Sequence, residues 1–163
     1  MKKLESGRSM VEMLGVLAII GVLSIGGIAG YVLSMNRYRA NAMLDVANKY
    51  AAIVFSSYQS WVANGNAVSD WKAPTLATSK LEGTLQPGTT ITADDAAAIN
   101  GNTVTLTISF PSKDVCETGV GIAGYEILTS GDDTAQGRKC TEGEEDKTNN
   151  ITPASASIDF KQS

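Results

Sequence analysis

The sequence predicts an α+β fold: one long amino-terminal α-helix whose second half packs on a small antiparallel β-sheet. Three observations carry this reading. From Met13 to Leu33 there are 21 residues, and Ser24 and Tyr31 are their only polar side chains. From Asn36 the pattern turns amphipathic at helical spacing, and no proline occurs before Pro74. Beyond Asn102 the helical period gives way to short alternating segments rich in β-branched residues.

At a rise of about 1.5 Å per residue, the apolar run is long enough for a bilayer core of roughly 30 Å. A short tail with Lys2 and Lys3 precedes it. Positive charge beside the first span keeps that end in the cytoplasm, so the remainder is expected outside. One acid, Glu12, stands at the edge of the run. At the centre of a span a carboxylate costs about 2.5–3.5 kcal/mol on insertion scales, so such groups reach the headgroups or find a partner. Both readings apply to Glu12: an interfacial charge, or one that meets a cation from another copy of the chain. A new amino terminus made by cutting just before Arg8 would supply that cation. A secretory signal cut after Gly27-Ile28-Ala29 is the competing reading. Against it stand the acid at Glu12 and a run longer than the usual apolar core of about 7–15 residues.

A short basic leader ending in Gly7, a glutamate five residues later and about twenty apolar residues continuing as helix resemble the prepilin signal of type IV pilins and the related pseudopilins. Gly21, Tyr31 and Arg37 also fall where many type IV pilins carry those residues. The chain departs from the family at Arg8, usually Phe, Met or Leu, and at Ala29, often a proline. The resemblance is specific over about residues 1–60 and general beyond. It implies three parts: a leader over 1–7, a transmembrane and filament-core half-helix over 8–35, and a globular pilin domain over 36–163. It further implies cleavage by prepilin peptidase between Gly7 and Arg8, with methylation of the new amine. The subunit would wait as a single-pass protein of the bacterial inner membrane and then enter a homo-oligomeric helical filament, an extracellular pilus, with the help of inner-membrane assembly machinery. Glu12 would pair with the amino terminus of a neighbouring subunit. The expected role is that of a structural subunit and not an enzyme. A pseudopilin of a type II secretion system and a minor pilin are the alternatives.

The elements follow in order. Met43, Val46, Ala47, Tyr50, Ile53, Val54, Ser57, Tyr58 and Trp61 recur at three and four, one stripe of a helix that needs a domain to cover it. Asn64-Gly65 is a stop signal, so one helix is expected from about Arg8 to Asn64, roughly 85 Å long. Residues 65–102 read as a long loop region with short elements, including a helical turn over Asp94–Ile99 and a turn at Asn100-Gly101-Asn102. Thr103–Phe110 is the best strand, and Pro111 ends it. Ser112 is placed to cap a short helix carrying Cys116, which Gly119 and Gly121 are expected to break. Tyr125–Thr129 is a second strand, 130–150 is polar loop, and Ala156–Phe160 is a terminal strand.

Composition narrows the chemistry. The net charge is −4, and loss of residues 1–7 with Lys2, Lys3 and Glu5 makes it −5, which gives no support for broad nucleic-acid binding. There is no histidine, so histidine triads and imidazole metal sites are excluded. No P-loop, nucleophile elbow or zinc-spaced cysteine set is present. The two cysteines, Cys116 and Cys140, lie in the exported part and read as a disulfide, which would contribute about 3 kcal/mol, with two separate buried thiols as the alternative. Asp132, Asp133, Glu144 and Asp146 read either as a solvated acidic loop or as oxygen donors for calcium, without matching an EF-hand. No other cofactor is expected.

Overall fold

The computed structural model describes residues 6–81, 85–87, 89–145, 147 and 151–162, with side chains from Met10 onward. It is the α+β arrangement expected: a long amino-terminal helix and a small antiparallel sheet. The chain forms two compact units, Met1–Met35 and Asn36–Ser163. Helix α1 runs from Ser6 to Ala63. It stops where expected, because Gly65 takes a positive φ of 75° and turns its N–H back to the Val62 carbonyl at 2.9 Å.

The second half of α1 buries Ala40, Met43, Leu44, Ala47, Tyr50, Ala51 and Val54, spaced at three and four. These join the inner face of the sheet in a single core. Strand β3, Thr103–Phe110, buries every second residue: Val104, Leu106, Ile108 and Phe110. Its partner is the carboxyl-terminal strand, Ala154–Lys161, which is β7 and alternates in the same way. The antiparallel register sets Phe110 opposite Ala154, Ile108 opposite Ala156, Leu106 opposite Ile158, and Val104 opposite Phe160. Large residues thus face small ones at one end, which lets the layer fill without overlap.

The sheet order is β1 (Thr90–Ala93), β3, β7, β6 (Thr141–Glu142), with β2 (Ile99–Asn100) also on β3. Strands β1 (Thr90–Ala93) and β2 (Ile99–Asn100) lie end to end along one edge of β3. A 3-10 turn, Asp95–Ala98, joins them. Strand β1 falls in the region read as loop. It is only four residues long and buries one of them, Ile91, so β3 rather than its own pattern makes it a strand.

Helix α2, Lys113–Ile122, starts as read: the Ser112 hydroxyl accepts the Val115 N–H at 3.4 Å. Gly119 and Gly121 do not break it. Gly119 is buried against the Phe110 ring, and a methyl there would stand 2.8 Å from two ring carbons. Close packing, not chain breaking, is the reason for that glycine. The expected strand over Tyr125–Thr129 shortens to β4, Glu126–Leu128, and it does not join the main sheet. It pairs in parallel with β5, Gly137–Lys139. Strand β6, Thr141–Glu142, then pairs with the start of β7. Both β5 and β6 lie in the stretch read as polar loop.

Candidate functional site

Two features bear on function. The first is the apolar stretch of α1. Its large side chains are exposed throughout, Leu23 at 68% and Ile25 at 74% among them. α1 is long and apolar enough over this stretch to cross a membrane, and none of its most apolar window is buried. Two serine hydroxyls along it are satisfied locally. Ser24 donates to the Ile20 carbonyl at 2.7 Å and Ser34 to the Gly30 carbonyl at 2.9 Å. That pattern suits apolar surroundings, where an unmet hydroxyl is costly. Methyl groups added at Gly15, Gly21, Gly26, Gly27 and Gly30 would meet nothing within 4 Å. Packing inside this chain therefore gives no reason for these five glycines.

Glu12 lies on this helix and is exposed. Gly7 and Arg8 have helical backbones, while the Arg8 side chain, and residues 1–5 of the expected leader, lie outside the described residues. The structure places these residues on one helix.

The second feature is the loop that the cysteines close. Cys116 on α2 and Cys140 just after β5 form the expected disulfide, with Cα atoms 6.0 Å apart and a sequence separation of 24. Both are buried. Beside it lies a polar cluster that sequence reasoning missed. Arg138 on β5 is, among the described residues, the only buried charged side chain. Its Nη2 pairs with Asp159 Oδ2 at 2.6 Å, and its Nε donates to the Ser157 carbonyl at 2.8 Å. Its Nη1 donates to the carbonyls of Thr134 and Gly137. The guanidinium carbon sits 4.2 Å from the centroid of the Tyr125 ring. The Tyr125 hydroxyl donates to Asp159 Oδ2 at 3.1 Å, and the Thr105 hydroxyl to Oδ1 at 2.7 Å. Burial, then the neighbouring Asp159 carboxylate, pushes the Tyr125 phenol above its usual range. The one signal in the sequence was Asp159 itself, a lone carboxylate on the polar side of an alternating strand.

The described members of the acidic set form no metal-holding group. Asp132, Asp133 and Glu144 are exposed, and Asp133 Oδ1 accepts the Lys139 N–H at 2.8 Å, so it ties its own loop. Among the described residues no three carboxylates or thiols are grouped to hold a metal, and Asp146 lies outside them. Comparison with family models, with curated proteins and with solved structures finds no match for this chain.

Proposed function

We propose that the chain is a structural filament subunit of the type IV pilin kind, cut between Gly7 and Arg8 and assembled through its amino-terminal helix. The observation that carries this reading is the pairing of a fully exposed apolar helix face with a separate, disulfide-closed α+β unit. An apolar helix of this length needs a bilayer or other helices around it, and many copies bundled together meet that need. In this account subunits wait in the inner membrane and pass into the bundle, where the domains coat its outside. Glu12 enters an environment in which an unpaired charge is strongly disfavoured. Pairing with the amino terminus of a neighbour then selects the register of the bundle more than it adds net stability. The role is mechanical and calls for no catalytic group.

The test is genetic and visual. Glu12→Ala is expected to leave cleavage before Arg8 intact and to abolish or scramble filaments seen by electron microscopy. Normal filaments in a strain carrying only Glu12→Ala would remove the pairing step from the account.

A further inference from the structure

The disulfide closes the loop, but it does not touch most of it. Cys140 is fixed to α2 at one end of β5. A crosslink of this kind acts largely by restricting the unfolded chain. The side-chain contacts that seat the loop on the sheet centre on Arg138, with the Tyr125 hydroxyl on Asp159 beside it. Strand β6 pairs with β7 only at Ala154 and Ser155, and further along β7 the Arg138 Nε takes the Ser157 carbonyl. The same side chain reaches Asp159 two residues on, covers the Tyr125 ring where the loop begins, and holds the loop's own carbonyls at Thr134 and Gly137.

We infer that the Arg138–Asp159 clamp, and not the Cys116–Cys140 bond, holds residues 125–140 on the sheet, so that the loop stays docked when the disulfide is reduced. The disulfide then adds to global stability, while Arg138 sets local order. A loop held this way keeps its surface in reducing as well as oxidising surroundings. This inference stands whether or not the chain forms filaments.

Hydrogen exchange read by mass spectrometry on the full chain in detergent micelles separates the two devices. The informative amides are Glu126, which donates to the Gln136 carbonyl, together with Thr134, Gly137 and Lys139. In the wild type reduced by a phosphine, with free thiols verified by mass, and in the Cys116→Ala/Cys140→Ala variant, these amides are expected to speed up by the same factor as those of β3. That is the signature of a change in the unfolded state. In Arg138→Gln with the disulfide intact, exchange at the four loop amides is expected to rise about 100-fold or more relative to β3, because half-buried Asp159 loses its cation and the Ser157, Thr134 and Gly137 carbonyls lose their donor together. Arg138→Lys, which keeps the charge but loses the fork, should fall between. Two results overturn the inference: selective loss of loop protection on reduction with Arg138 in place, or unchanged loop exchange in Arg138→Gln. If Arg138→Gln does not fold, the reduced wild type decides alone.

Discussion

Two glycines on one helix offer a controlled test of the packing described above. Gly119→Ala and Gly121→Ala each replace a helical glycine of α2 by the best helix former, which by itself favours folding by about 1 kcal/mol. That gain is common to both and cancels in their difference. At Gly121 the new methyl meets nothing within 4 Å, so the gain stands alone. At Gly119 it would lie 2.8 Å from Cε1 and Cζ of Phe110, nearer than carbon atoms approach. The ring cannot swing away, because Phe110 is fully buried and faces Ala154 in the sheet. Overpacking of this kind costs about 1–3 kcal/mol. Gly119→Ala should therefore be less stable than Gly121→Ala by about 1–3 kcal/mol. For a folded unit of this size that is a gap of roughly 4–12 °C in Tm. Unfolding of the full chain in micelles, followed through the buried Trp71 beside Tyr58, reads it directly. A double variant that adds Phe110→Leu should recover part of the loss, since neighbouring substitutions couple. If Gly119→Ala melts at or above Gly121→Ala, close packing on Phe110 is not the reason for Gly119.

Three further outcomes follow from the same structure. Ile158→Ala empties a fully buried place opposite Leu106 and should cost about 2–5 kcal/mol, whereas Ile122→Ala on an exposed position should stay within about 0.5 kcal/mol, both by denaturant titration. The Asp95 carboxyl is held below its usual range by the hydrogen bond from Lys72 at 2.6 Å and by the Ala73 N–H at 3.0 Å. A folded carboxyl with a depressed pKa contributes stability above the unfolded value of about 4 and loses it as pH falls through the folded one. Asp95→Asn, which still suits the positive φ of 44° there, should flatten that acid limb in a small but measurable way. Burial pushes the Tyr50 phenol up, and the hydroxyl donates to the Pro74 carbonyl at 2.6 Å. The contribution of this neutral phenol is full below pH about 10 and is lost as pH rises, so Tyr50→Phe should soften the alkaline fall in Tm.

The helix and its burial were legible because the signals are long. A stripe from Met43 to Val54 repeats over several turns, and Thr103–Phe110 alternates over eight residues, so each pattern fixes its own buried face. The Ser112 cap and the stop at Asn64-Gly65 were legible for a different reason, since each rests on the backbone chemistry of one or two residues. What was missed is short or non-local. The strands at Thr90–Ala93, Gly137–Lys139 and Thr141–Glu142 have between two and four residues, too few for a period, and partners distant in sequence make them strands. Gly119 was read as a breaker because its neighbour Phe110 is invisible without the fold. The Arg138 clamp joins positions 21 apart through a buried side chain in a segment whose composition reads as solvated. The apolar stretch and Glu12 were plain from the start, yet what surrounds them lies outside a single chain.

Whether the subunit is cut and polymerised is read from the intact mass of the protein in filaments sheared from cells. The expected result is one species spanning Arg8–Ser163, lighter by two hydrogens for the Cys116–Cys140 bond and heavier by one methyl where the new amine is modified. A protein that keeps residues 1–7 and stays in the membrane would contradict it and leave a simple anchored domain in its place.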